Sequence, residues 1–120
     1  MKIVFTTSGT DLEAPLDRRF GRAPRFLVYD LEGRTFEIVE NKQNLNAAQG
    51  AGIQSAEAVA RTGAKAVVTG HCGPKAFRVL SAAGVVILTS DAPTVAAALD
   101  QYRSGVLTEA RAADVEGHWA

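Results

Sequence analysis

Ala66 to Thr69 reads Ala-Val-Val-Thr, and it constrains the fold more than any other stretch. Both alternating sides of this run are apolar, so a strand here is covered on both faces of a sheet. Segments of helical period bracket it. Ile53, Ala56, Val59 and Ala60 precede it, with Gly63 as a stop; Gly73-Pro74 opens the next segment, whose inner face is Ala76, Phe77, Leu80 and Ala83, with Gly84 as its stop. Val85 to Thr89 is a further apolar strand, and Asp91 to Tyr102 reads as a third helix with Val95, Leu99 and Tyr102 facing inward. Strands joined by helical crossovers run parallel, and such crossovers are right-handed.

The N-terminal third has a different rhythm. Lys2 to Thr7 and Arg25 to Leu31 are short runs rich in strand formers, and Glu32-Gly33 predicts a tight connection into Arg34 to Glu40. There Phe36, Ile38 and Glu40 share one face, and Thr35, Glu37 and Val39 the other. The expected fold is α/β: a single domain over 1–120 with a five-stranded mixed sheet of order 3-2-1-4-5, strand two antiparallel, flanked by three helices. The tail from about residue 104 is expected to be irregular. In this arrangement the long loops, residues 8–24, 41–52, 70–75 and 89–93, gather on one edge. Open α/β sheets bind ligands at the carboxyl ends of their parallel strands, where the connection order reverses. That point lies between the first and fourth strands, at His71, Cys72 and Gly73.

Bulk properties exclude several functions. Thirteen basic and thirteen acidic side chains give a formal net charge of +0, which excludes the global field of a nucleic-acid binder. One cysteine cannot form an internal disulfide, and no apolar run approaches the ~20 residues of a membrane span. The reading is a cytoplasmic protein with no nucleic-acid or membrane partner.

Three stretches carry candidate chemistry. The run His71-Cys72-Gly73-Pro74-Lys75-Ala76-Phe77-Arg78 has the literal His-Cys-x5-Arg spacing of thiol phosphatases, which need a thiolate inside a ring of N-H donors. Pro74 removes one donor, Ala76 and Phe77 are apolar where glycines are required, and a helix starting at Pro74 carries Arg78 a turn away. A second reading is an anion site at a helix N-terminus, with Lys75 in the first turn. A third is a compact turn in which Cys72 packs as a small apolar side chain. Asp17 to Arg25 concentrates Arg18, Arg19, Arg22 and Arg25 in an otherwise neutral chain. Either these guanidiniums face an anion or an acidic partner, or they pair with Asp11, Glu13 and Asp17. Asn44 to Gln54 leads into the first helix with two glycines and little side-chain bulk, which suits close contact with a large ligand. It lacks a dinucleotide fingerprint and a P-loop. Closed zinc sites lack the needed spacing, because His71 and Cys72 are adjacent and His118 stands in the tail; a soft metal such as Cu(I) suits a thiolate and an imidazole.

Phe20-Gly21-Arg22-Ala23-Pro24, Gln49-Gly50-Ala51-Gly52-Ile53, Val68-Thr69-Gly70, the Gly73 to Arg78 run and Ala82-Ala83-Gly84-Val85 together resemble the dinitrogenase iron-molybdenum cofactor biosynthesis family, over nearly the whole chain. The resemblance implies an RNase H-like motif and a protein that carries or stores metal-sulfur clusters without turning over a substrate. It also implies an association with partner P-loop ATPases in a cell-division setting. Many members place a histidine-rich segment where this chain has Asn44 to Gly50. Together with the ending Asp114-Val115-Glu116-Gly117-His118-Trp119, that departure is similar to a narrower group, which holds a preformed molybdenum-copper sulfide cluster non-covalently. Such a cluster brings its own sulfide ligands and needs positive charge, N-H donors and apolar walls. The residues expected to supply them are Arg22 and Arg25 for charge, Gly50, Gly52 and Ile53 for close approach, and the turn of His71, Cys72, Gly73, Pro74 and Lys75 for the N-H groups around the helix start, with Cys72 lining the site as a copper contact. A thiol-dependent enzyme using Cys72 and Arg78, and a protein-interaction module without a cluster, are the alternatives.

Overall fold

The computed structural model describes residues 1–41 and 50–110. Nine elements follow in chain order: β1 (Lys2–Thr7), β2 (Arg25–Asp30), β3 (Thr35–Glu40), α1 (Gly50–Arg61), β4 (Ala66–Thr69), α2 (Pro74–Ala82), β5 (Val86–Thr89), α3 (Val95–Ser104) and β6 (Thr108–Glu109), with a single 3-10 turn at Phe20–Arg22. The sheet order is β3-β2-β1-β4-β5-β6. β1 is antiparallel to β2, with Phe5 opposite Leu27, and parallel to β4, with Phe5 opposite Val68. β4 and β5 are parallel, and β2 and β3 antiparallel. The expected α/β fold, its strand order and its three helices are therefore present.

Strand alternation splits the core into two layers. Val4, Phe26, Val28, Val67 and Ile87 face α1 and α2, meeting Ala56, Val59, Ala76 and Leu80. Ile3, Phe5, Leu27, Tyr29 and Val68 face α3, meeting Val95, Ala98 and Leu99. The four residues of β4 are all buried, as a strand sandwiched between helical layers must be. Gly63 and Gly84 end α1 and α2 with φ of 79° and 78°, a left-handed turn in which a Cβ is strained. Among the described residues, no helix is long and apolar enough to cross a membrane.

Four expectations need correction. The sheet gains a sixth strand: Gly105 caps α3 in the left-handed conformation, and the chain turns back so that Thr108 and Glu109 pair antiparallel with Thr89 and Leu88. The chain beyond residue 104 is thus ordered at least to Ala110, whose N-H donates to the Ile87 carbonyl at 2.8 Å. α3 begins at Val95 instead of Asp91, because Thr94 is its N-cap and accepts a hydrogen bond from the Ala97 N-H at 3.1 Å. The β2–β3 hairpin is wider than a two-residue turn. Asp30 Oδ1 accepts from the N-H groups of Glu32 and Gly33, and Arg34, not a glycine, takes the positive φ of 56°. Ala83 is exposed at the end of α2, outside its buried face. Residues 44–49 of the glycine-rich stretch, and His118 with Trp119, lie outside the described residues.

Candidate functional site

The arginine-rich loop is fastened to the carboxyl edge of the sheet along its length. Asp17 N-H donates to the Thr6 carbonyl at 2.8 Å, and Thr6 Oγ1 donates to the Asp17 carbonyl at 2.7 Å. Thr6 Oγ1 also meets Thr69 Oγ1 at 2.9 Å, so a buried hydroxyl pair joins β1, β4 and the loop. Further along, His71 N-H donates to the Arg18 carbonyl at 2.7 Å and Phe20 N-H to the His71 carbonyl at 3.0 Å, a parallel bridge between Arg19 and His71. This approach requires Gly70. A Cβ there would lie 2.7 Å from the Arg18 carbonyl oxygen and 2.8 Å from Arg18 Cα, both backbone atoms. Phe20 anchors the loop from below, buried and stacked on Phe26 with centroids 6.1 Å apart. The loop thus fills the crevice between β1 and β4 where a ligand was expected.

What the loop presents outward is charge. Arg18, Arg19 and Arg22 are exposed. Among the described residues the ion pairs are Met1 with Glu32 and Arg25 with Glu40, so Asp11, Glu13 and Asp17 neutralise none of these guanidiniums. Asp17 Oδ1 instead accepts the Arg19 backbone N-H at 3.0 Å. Arg25 is differently placed from its neighbours in sequence: its Nε donates to Glu40 at 3.0 Å and its Nη1 to the Ser8 carbonyl at 2.8 Å. Asn41 completes the support. Its buried Nδ2 donates to the Ala23 carbonyl at 2.7 Å and to Ser55 Oγ at 2.9 Å, tying the loop to α1.

The turn from Gly70 to Lys75 divides its side chains between water and core. His71 and Lys75 are exposed, while Cys72 is 1% exposed and belongs to the apolar cluster of Phe20, Ala76 and Leu80. Its Sγ lies 3.7 Å from the Gly73 carbonyl. Gly73 is the extended N-cap of α2 and Pro74 its first residue, so the positive end of that helix faces the same edge. Gly50 begins α1. Gly52 faces α2, where an added Cβ would touch Ala76 Cβ at 3.6 Å, and Ile53 is half-buried. Arg78 lies on the exposed side of α2 with Nε 3.5 Å from the Pro74 carbonyl. A buried thiol and an exposed guanidinium do not make a phosphatase loop. Among the described residues, no group of three or more His, Cys, Asp or Glu side chains is placed to hold a metal ion.

The profile described as dinitrogenase iron-molybdenum cofactor matches residues 1–105. The chain belongs to the dinitrogenase iron-molybdenum cofactor family. Its fold is shared by the apo form of the orange protein of Desulfovibrio gigas, 35% identical, with a TM-score of 0.89 over 94% of this chain and 95% of that one. A putative NifB protein from Thermotoga is 31% identical, with a TM-score of 0.84 over 97% of this chain and 98% of that one. An uncharacterized protein of Methanocaldococcus jannaschii is 27% identical over 95 residues, which are 77% of this chain and 80% of the relative. This member of the family has two concavities that sequence reasoning missed. One, of about 510 Å³, opens at the carboxyl ends of β4 and β5 beside Arg18, Gly70 and His71, with Thr89, Ser90 and Thr108 around it. β6 builds one of its walls, and a two-residue strand leaves no periodic signal in sequence. The other, of about 630 Å³, runs between β3 and α1 over Val28 and Val39.

Proposed function

We propose that the chain is a non-enzymatic carrier that holds a preformed anionic molybdenum-copper sulfide cluster, non-covalently, at the carboxyl edge of its sheet. One observation carries the reading: a strip of exposed arginines without acidic partners among the described residues is bonded, through the Arg19–His71 bridge, to the turn that opens α2. Family membership and the likeness to the orange protein support a cofactor-related role. A cluster whose metals are already ligated by sulfide asks the protein for cationic and N-H contacts, not for a chelating set.

In this reading Arg18, Arg19 and Arg22 supply the field, with Arg25 at its margin holding Ser8 and Glu40 in place. The cluster rests on this edge, beside the turn from Gly70 to Lys75. Gly73, Pro74 and Lys75 contribute the positive end of α2, and Gly50, Gly52 and Ile53 bring the start of α1 against it. Cys72 supports the turn from inside the core and offers its backbone, since a thiol at 1% exposure is out of reach of a docked copper without local opening. The carrier works in the cytoplasm, and the proposal requires no ATPase partner.

The test is to mix the apo protein anaerobically with tetrathiomolybdate and a copper salt, desalt it, and record the visible spectrum with a metal analysis. A coloured protein that retains both metals in a fixed ratio supports the reading. A colourless, metal-free protein sinks it.

A further inference from the structure

The two ends of the sheet are finished differently. β6 is a two-residue strand, a short and blunted edge. β3 is six residues long, with neither proline nor lysine, and stands last in the sheet order. Its hydrogen-bonding parity follows from one bond. Asn41 N-H donates to the Pro24 carbonyl at 2.9 Å, in register with the β2–β3 ladder, so alternation assigns the main-chain groups of Thr35, Glu37 and Val39 to β2. The N-H and C=O groups of Phe36, Ile38 and Glu40 therefore point out of the sheet. No described residue bonds to them.

Both flanks of this edge have a definite character. On the α3 side stand Phe36, 38% exposed, and the half-buried Ile38. On the α1 side lies the groove over Val28 and Val39, which continues down the sheet past Glu37 to Lys2 and Asp30. Its carboxylates on this face are Asp30, Glu37 and Glu57, against Lys2 and Arg61 as cations. Glu40 is held by Arg25, whereas Glu37 and Glu57 enter no ion pair among the described residues.

We infer that the β3 edge is a docking site for an extended segment of a partner protein, which adds as a further strand with basic side chains toward Glu37 and Glu57 and apolar ones toward Phe36 and Ile38. Strand addition gains affinity from main-chain bonds and specificity from alternate side chains. The period of two in the partner matches the two faces of β3: acidic and grooved on one side, apolar on the other. This inference does not rest on the cluster reading.

The probe is a synthetic six-residue peptide alternating lysine with valine and leucine, compared with its counterpart in which glutamate replaces lysine. Binding is followed by fluorescence anisotropy, and amide exchange by NMR. The lysine peptide is expected to bind and to slow exchange at the amides of Phe36, Ile38 and Glu40, leaving Thr35, Glu37 and Val39 unchanged. Glu37→Lys, which leaves the backbone intact, lowers affinity roughly tenfold, equivalent to about 1.4 kcal/mol. Ile38→Pro removes the central outward donor, at a position where an edge strand tolerates proline, and abolishes the protection. Equal binding of the glutamate peptide, or binding without protection at those three amides, overturns the inference. So does slow exchange of the same amides in the free protein, which would mean that the edge is already covered. A concentration-dependent dimer that protects them would assign the edge to a second copy instead.

Discussion

At Cys72 the side chain and the backbone have different surroundings. The backbone belongs to the edge that carries the arginines, while the sulfur is packed with Phe20, Ala76 and Leu80. Thiol reagents attack an accessible thiolate, so native protein is expected to leave Cys72 unmodified by Ellman's reagent until denaturant opens the core. Cys72→Ala should retain cluster uptake; loss of uptake in a folded Cys72→Ala protein would show that the sulfur reaches the cluster. Gly70 makes a complementary case. Its missing Cβ is the space occupied by Arg18, and Gly70→Ala forces two backbones apart with loss of the His71 to Arg18 bond. The expected cost is about 1–3 kcal/mol in urea unfolding, the range for overpacked sites. The motif around residues 70–75 was legible in the sequence as a turn into a helix. Which way its cysteine points was not, because both strand parity and helix phase are undefined in the four residues between β4 and α2.

At the scale of elements, caps decided what periodicity misjudged. Asp91 and Ala92 extend the helical pattern of α3 on paper, yet Ser90 Oγ accepts the Ala92 N-H and Thr94 takes the cap, so the helix starts four residues later. Thr94→Ala is expected to cost about 1 kcal/mol of stability, measured by thermal or urea unfolding. The β2–β3 hairpin depends in the same way on one side chain. The Asp30 carboxylate is held below the usual aspartate range, first by the Gly33 N-H and then by the Glu32 N-H, with the N-terminal ammonium and Lys2 adding to the effect. A lowered native value means that the contribution is present above the ordinary aspartate range and is lost as pH falls through the native one. Wild type should therefore exceed Asp30→Asn in stability near neutrality, with the small difference closing in acid; a pH series of urea midpoints checks this. A wide turn with Arg34 at positive φ was hidden because Glu32-Gly33 looks sufficient by itself.

The whole molecule is electrically neutral, so a salt-dependent affinity reports a local field and not a global one. Cluster uptake by wild type is expected to fall as ionic strength rises, and the Arg18→Ala, Arg22→Ala double variant to bind more weakly with a shallower salt slope. Equal slopes would separate uptake from the arginine strip. Sheet order, strand direction and the edge bearing the loops were all readable from the alternation of strands and helices. That the arginine loop fills the β1–β4 crevice was not, since nothing in Asp17 to Phe20 announces a segment that bonds across strand ends. β1 sits in the middle of the sheet although it precedes every other strand in the chain. During synthesis its antiparallel neighbour β2 follows first, with β3 pairing on β2, but its parallel neighbour β4 appears only after α1 has been made. Until then the nascent meander has an unpaired inner edge and two uncovered apolar faces, so the interval between ribosomal emergence of Glu40 and Thr69 is the stage at which this chain is most open to aggregation and to capture by chaperones.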